Sequence, residues 1–413
     1  MDNYKYNYLK MFETLEEIYS EFKYNVETIN KYKYLTDYIL ELYNNKNIET
    51  NCSDTNKLLW NGIYYQHVEK DYNEMKKYYL IAIDLGSYNA MYNLGDYYQD
   101  IEENYDEMKK YYLMAIELGE SNSMNNLGHY YETIEKNYDE MKKYYLMAIK
   151  LGYTGSMNNL GYYYGNIEKN YDEMKKYYLM AVELGESNSM HNLGHYYQFI
   201  EKDYDKMKKY YLMAIKLNNS ASMNKLGYYY KMVKKNYDKM KKYYLMAVKL
   251  NEINSMNNLG HHYQFIEKDY DKMKKYYLMA IELNYDKSMY NLGYYYKNVE
   301  ENYDKMKKYY LMAVNLNNNN AMCGLGHYYQ FIEKDYDEMK KYYLMAVEKN
   351  NDRAMFFFGY YYGNIEKDYD KMKKYYLMAV DLGCSNSMNN LGYHYQFIEK
   401  NYDKMKKYYY ETI

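Results

Sequence analysis

Residues 121–152 read SNSMNNLGHYYETIEKNYDEMKKYYLMAIKLG, and this stretch decides the fold. Met124, Leu127, Gly128, Tyr131 and Ile134 fall at i, i+3, i+4, i+7 and i+10, the face of one helix expected over 121–134. Met141, Tyr145, Ala148 and Ile149 give the inward face of a second helix expected over 138–151. The YYLMAI run is apolar on more than one side, so this second helix needs several neighbours to cover it. Gly128 stands in the middle of the first helix, where it costs about 1 kcal/mol relative to Ala. A glycine kept there implies another helix packed too closely for a side chain.

The same pattern runs outward in both directions. Glycine returns at Gly62, Gly95, Gly128, Gly161, Gly194, Gly227, Gly260, Gly293, Gly326, Gly359 and Gly392, each gap being 33 residues. We number the repeats 1 to 11 by these glycines and call their two helices A and B. KKYY recurs in register from Lys76 to Lys406. The position before helix B is always Asn or Asp, from Asp71 through Asn137 to Asn401, a side chain that caps orphan backbone N–H groups. The position after helix B is Gly or Asn, as at Gly119, Gly152, Asn218, Asn284, Asn350 and Gly383, the residues that enter a left-handed C-cap readily. Short connections on both sides make the helices antiparallel neighbours. One such pair cannot bury its apolar face alone, so the repeats must stack. The expectation is an all-α, right-handed solenoid of antiparallel helix pairs over 57–413, preceded by an N-terminal helical cap region over 1–56 with Leu35, Ile39 and Leu42 at helical spacing. The chain stops at Ile413 inside the last helix B, which leaves an apolar edge for end-to-end self-association.

Composition sets the remaining bounds. Proline is absent and Arg353 is the one arginine, while Asn, Lys, Tyr, Ile and Met dominate, a bias toward AT-rich codons. Net charge is −3, from 54 basic and 57 acidic residues intermixed, which argues against a dedicated nucleic-acid binder. Cys52, Cys323 and Cys384 do not follow the repeat and read as free thiols of a reducing compartment. The start MDNYKYNYLK lacks the apolar run of a signal peptide, and no window reaches the roughly 20 apolar residues of a membrane span. The expected location is cytoplasmic.

These residues carry a family resemblance. The stretch Gly152-Tyr153-Thr154-Gly155-Ser156-Met157-Asn158-Asn159-Leu160-Gly161 resembles the Sel1-like branch of the tetratricopeptide superfamily: Gly closes a helix, a small residue follows four positions on, then Leu-Gly. That small residue recurs as Ala90, Ser123, Ser156, Ser189 and onward to Ser387, and Tyr164, Tyr178 and Ala181 match further family positions. Met174 stands where the family has Ala, and the usual Gly-rich loop between the helices is missing. With its AT-rich bias the chain looks like the Sel1-like proteins of giant DNA viruses that infect amoebae, which implies a host cytoplasm. The resemblance implies protein–protein scaffolding without intrinsic catalysis.

The face of helix A opposite its core stripe carries the positions of Asn126, His129 and Thr133. In related solenoids this face is the concave surface. His195 goes with Phe199, His261 with Phe265 and His327 with Phe331, while the units between carry Tyr228 with Met232 and Tyr294 with Asn298, a second period of 66 residues. An exposed Phe at a regular interval is costly without a partner. One explanation is a groove for a partner protein or peptide built from Asn192, His195, Phe199, Asn258, His261, Phe265, His327 and Phe331; the other is the scar of a duplicated two-repeat block. His191 and His195 have the i, i+4 spacing of a metal pair, but His191 replaces the Asn of most units and no acid or Cys repeats beside it, so no metal is assigned. The adjacent His261 and His262 point apart. Lys142-Lys143 and its copies raise a single-stranded RNA reading, set against Asp139 and Glu140 within one turn and few basic residues on helix A. Methionines at Met124, Met141 and Met147 read as adaptable core. No catalytic residue and no cofactor site is assigned. The expected function is an adaptor for another protein. The alternatives are a helical-repeat RNA binder and an expanded family member without a fixed partner.

Overall fold

The computed structural model describes residues 53–410, so the expected cap region 1–56 lies almost wholly outside the described residues, as does the chain end. Among the described residues there are twenty-two α-helices and no strand. The chain divides into two compact units, the first ending at Tyr196 and the second starting at Tyr197.

Each unit is built from the same pair. In the first, helix A of repeat 3 spans Ser121–Thr133 and its helix B spans Tyr138–Lys150. In the second, repeat 8 pairs Asp286–Asn298 with Tyr303–Asn315. Four repeats end helix A in a π-helical turn, at Tyr65–Glu69, Tyr263–Glu267, Tyr329–Glu333 and Tyr362–Glu366.

The helix ends follow the cap residues. Asn137 accepts from the Glu140 N–H at 3.2 Å and Asn302 from Lys305 at 3.0 Å. Gly152 (φ 81°) and Asn284 (φ 58°) take the left-handed position after helix B. The amides of Gly152 and Tyr153 then bond back to Ile149 (2.9 Å) and Ala148 (3.1 Å), the paired closure that satisfies the last carbonyls. A second left-handed residue per repeat has no glycine or asparagine: Lys136 (φ 53°), Lys268 (φ 56°) and Glu301 (φ 51°) close helix A instead. Left-handed backbone at such residues costs on the order of 1–2 kcal/mol. The turn is held because the next N-cap amide, Asn137, reaches back to the Tyr131 carbonyl at 2.8 Å.

Ile134 departs from its expected place on the core stripe. Helix A has ended by Thr133, and Ile134 is exposed. Tyr130 takes the deeply buried position while Tyr131 is half-buried. The 3.6-residue period was extended one step past the point where the backbone turns away. Leu151 likewise lies beyond helix B and is exposed.

The mid-helix glycine is explained by its own repeat. A Cβ on Gly128 would stand 2.7 Å from the Tyr145 ring, and one on Gly260 2.5 Å from Tyr277. The second tyrosine of KKYY packs against that glycine and is fully buried in both cases. Tyr144 stacks on Tyr131 at 5.6 Å between centroids, and Tyr131 meets Tyr130 edge-on.

Repeats are joined by a contact hub that the local pattern does not show. Lys142 pairs with Glu168 of the next repeat at 2.5 Å and lies 5.0 Å above the Tyr163 ring, whose hydroxyl donates to the same Glu168 at 2.9 Å. Lys340, Glu366 and Tyr361 repeat this in the second unit, at 2.6 Å and 2.8 Å. Buried imidazoles replace the phenol at His262, 3.0 Å from Glu267, and at His394, 3.1 Å from Glu399. The lysine, then the phenol, holds the carboxyls of Glu168 and Glu366 below the usual range. A second seam runs along helix A: Asn257 accepts from Ser288 and Asn291 of the following repeat, both at 3.0 Å.

Candidate functional site

One position of helix A stands thirteen residues before the core tyrosine that lies on the glycine, and Gln or Glu there reaches the tyrosine's hydroxyl, while Gly165 and Gly363 leave it empty in repeats 4 and 10. Gln66 accepts from Tyr79 at 2.7 Å and Glu132 from Tyr145 at 2.8 Å in the first unit; Gln264 accepts from Tyr277 at 2.9 Å and Gln330 from Tyr343 at 2.8 Å in the second. A buried phenol needs such a partner. Repeats 6 and 8 put lysine at this slot, Lys231 and Lys297. An ammonium has no acceptor. The buried Tyr244 hydroxyl, opposite Lys231, has no hydrogen-bond partner.

Both slot lysines are half-buried, and burial lowers their pKa. Among the described residues neither has a carboxylate within 4.0 Å, in contrast to the hub lysines of helix B. Lys297 instead donates to Nδ1 of His327, one repeat on, at 3.2 Å. Burial, then Lys297 and Arg353, pushes His327 down to about 4, so its ring is neutral at pH 7. Lys231 acts on His261 in the same way, after burial itself.

The expected Phe–His pairs form within the second unit. His261 and Phe265 rings lie 4.6 Å apart at 44°, and His327 and Phe331 4.6 Å apart at 43°. Phe265 is 49% exposed and Phe331 40%. His195 and Phe199 are both exposed on one helix, His195 closing the first unit and Phe199 lying at the start of the second. Asn192 and Asn258 are half-buried. Asn192 donates to Asn158 at 3.0 Å, so its amide serves the seam between repeats 4 and 5. His261 is exposed and His262 fully buried, pointing apart as their adjacency requires.

Around the second pair the repeat departs furthest from its consensus. Helix A of repeat 8 contributes Tyr290, Tyr294 and Lys297; repeat 9 contributes Cys323 and His327; repeat 10 (helix Asp352–Tyr361) contributes Arg353, Phe357 and Tyr360. The His327 ring meets Phe357 edge-on at 5.1 Å, and Phe331 lies 6.3 Å from Tyr360. Tyr290 stacks on Tyr310 at 5.5 Å. Burial raises the Cys323 thiol to about 12, against Arg353 and Lys297, so this cysteine is an inert buried group. Lys231, Lys297, Arg353 and Phe357 escaped the sequence reading. Their signal was there, in a lysine alternating with glutamine at one repeat position and in the single arginine, but only the tyrosine contact gives the position meaning.

The first unit fills the corresponding places differently. Asp96, at the position of His327, accepts from the Tyr112 hydroxyl and from Asn126 at 3.1 Å. Burial raises its carboxyl above the usual range despite those bonds. Among the described residues no cluster of His, Cys, Asp and Glu could hold a metal ion, and no helix is long and apolar enough to cross a membrane.

Stacked helix pairs that vary chiefly on one face of helix A make a helical-repeat solenoid, a fold typical of protein-interaction scaffolds. The chain belongs to the Sel1 repeat family: the family's repeat model matches eleven consecutive copies, from residues 57–87 to 385–411. A search of curated proteins returns no match. Among solved structures it is similar to c5321, a protective antigen of uropathogenic Escherichia coli strains, with 20% identity and a TM-score of 0.52 over 87% of this chain and 84% of that one. It is also similar to a Sel1 repeat protein from Oxalobacter formigenes, with 24% identity and a TM-score of 0.45 over 55% and 97%. A human IFIT1 dimer bound to PPP-AAAA matches at 16% identity and a TM-score of 0.42 over 91% and 92%.

Proposed function

We propose that the chain is a non-enzymatic adaptor that takes a partner protein or peptide on the concave face of helix A, through His195, Phe199, His261, Phe265, His327 and Phe331, with Asn192 and Asn258 shaping its floor. The observation that carries this reading is the pair of Phe–His contacts at 66-residue spacing, each leaving a phenylalanine 40–49% exposed. Exposed aromatic anchors are what interfaces use and what solvated faces avoid. The RNA reading has less support, since Lys142 and Lys143 are each held by a carboxylate, Glu168 and Glu140. A host cytoplasm, suggested by the composition, belongs to the same proposal.

The test is a pull-down from cell extract with wild type and with His195, His261 and His327 changed together to Ala, beside a Phe265→Ala/Phe331→Ala variant. A bound protein common to replicates should weaken at least about tenfold with either variant while helical circular dichroism stays unchanged. Equal recovery on all three would remove the helix-A face from the account, and recovery of no common protein would leave a family member without a fixed partner.

A further inference from the structure

The slot lysines depart from the choice most repeats make, as do Gly165 and Gly363, which leave the slot without a side chain. Six repeats with Gln or Glu at the slot satisfy the core tyrosine beneath: Gln66, Gln99, Glu132, Gln198, Gln264 and Gln330. Lys231 strands the Tyr244 hydroxyl, and Lys297 occupies the same place above Tyr310. Among the described residues neither lysine has a carboxylate within 4.0 Å. An acceptor exchanged for a cation that no carboxylate of the described residues holds leaves that charge available to a partner.

At Lys297 a second cation joins. Arg353 is exposed, and no carboxylate of the described residues lies within 4.0 Å of it. Its charge reaches Tyr290, Cys323 and His327, as that of Lys297 reaches Cys323 and His327. The two cations therefore act on one locality, bounded by helix A of repeats 8, 9 and 10. Asp352 is the carboxylate that acts there, on Cys323. The rest of the lining is aromatic: Phe331, Phe357 and Tyr360. Two cations without a carboxylate partner beside an apolar shelf call for one anion attached to an apolar group.

We propose that this locality recognises an acidic segment of a partner protein, one carboxylate side chain held between Lys297 and Arg353 and a neighbouring aromatic or aliphatic side chain packed on Phe331 and Phe357. The assignment rests on the helix-A face being the partner surface and adds the chemistry of what it selects. Lys231, His261 and Phe265 repeat the arrangement 66 residues earlier, with Lys287 at the place of Arg353 and Asn291 at the place of Phe357, as a weaker second subsite for the same extended segment. A carboxylate peptide fits better than a nucleic-acid strand. A polyanion needs a continuous track of cations, whereas these stand at alternate repeats and the hub lysines between them are already paired.

The probe is an array of 12-residue peptides that permutes Asp, Glu, Asn, Gln, Lys, Phe and Leu, read with the labelled full chain, and a poly-uridine 12-mer measured in parallel. The account expects binding confined to peptides with Asp or Glu next to Phe or Leu, lost on Asn or Gln replacement. Lys297→Gln/Arg353→Gln should weaken the best peptide at least about tenfold. Because glutamine restores the acceptor that other repeats use, Lys297→Gln should fold at least as well as wild type, and Lys297→Arg should retain binding. Neutral or basic peptides binding as well as acidic ones, or an unchanged affinity in the double glutamine variant, overturns the proposal. If the charge variant has no effect while Phe265→Ala/Phe331→Ala still abolishes binding, the adaptor reading stands and the acidic specificity falls. Preferential binding of poly-uridine that depends on Lys297 and Arg353 overturns it in favour of nucleic acid.

Discussion

The two units share one framework and differ in what they place on it. In both, a tyrosine lies on a helix-A glycine, an Asn or Asp caps helix B, and a lysine reaches the glutamate of the next repeat. In the first unit the polar residues of the helix-A face turn inward: Glu132 accepts from Tyr145, and Asp96 gathers Tyr112 and Asn126. In the second unit Lys231 and Lys297 cannot accept, and they direct positive charge to the following repeat's histidine instead. The difference teaches that a repeat can keep its core while one slot trades a buried hydrogen bond for an available charge.

The largest expected effect tests the shared framework. Gly128→Val and Gly260→Val should each destabilise their repeats by about 3 kcal/mol, since a side chain there meets Tyr145 or Tyr277. Amide hydrogen exchange over Met141–Ala148 and Met273–Ala280 would read this locally, which suits a repeat chain that need not unfold in one step. A large loss in one unit and none in the other would break the claim of a common framework.

Next comes the slot. Gln264→Lys should strand Tyr277 as Lys231 strands Tyr244, at a cost of about 1–3 kcal/mol, and Lys231→Gln should return about 1 kcal/mol. Hydrogen exchange of helix B in repeats 6 and 7 measures both. Opposite signs confirm the slot logic, and equal signs refute it.

Asp96 sharpens the comparison from the first unit. Its carboxyl is raised in the fold by burial, so the folded state holds the proton more tightly than the unfolded state. Its contribution is therefore fully present below the ordinary carboxylate value of 3.8 and diminishes as pH rises through the folded value. Asp96→Asn, which keeps an oxygen acceptor, should leave repeat 2 at least as stable at pH 7 and abolish that component of the pH dependence.

The hub glutamates run the other way. Glu168, Glu300 and Glu366 are lowered by lysine and tyrosine, so their contribution is present above the ordinary value of 4.5 and is lost as pH falls through the depressed folded values. Both units should loosen below that pH, the smallest effect per residue because the pairs are partly solvated. Thermal melts between pH 3 and 6 followed by circular dichroism would show it.

Much of this was legible locally. The period, the helix bounds within a residue, the Asn and Asp caps, the left-handed Gly and Asn, and the close approach at Gly128 all follow from rules about neighbours within one turn. Ile134 was misplaced because a periodic stripe carries no mark of where the helix stops. Lys136 and Glu301 in left-handed turns have no signature in residue type, since tertiary closure overrides their preference. Glu168 carries no local mark of its role because its lysine stands 26 residues earlier, across a repeat boundary that only stacking defines. At the candidate site, the aromatic and histidine alternation was readable. The slot lysines were not, because their meaning depends on a phenol in the partner helix.

The most direct test combines stability and binding in one variant, Lys231→Gln/Lys297→Gln. The account predicts that helix B of repeats 6 and 8 becomes more protected from exchange while affinity for an acidic, aromatic peptide falls at least about tenfold. A variant less protected than wild type, or one that binds the peptide as tightly, would contradict it.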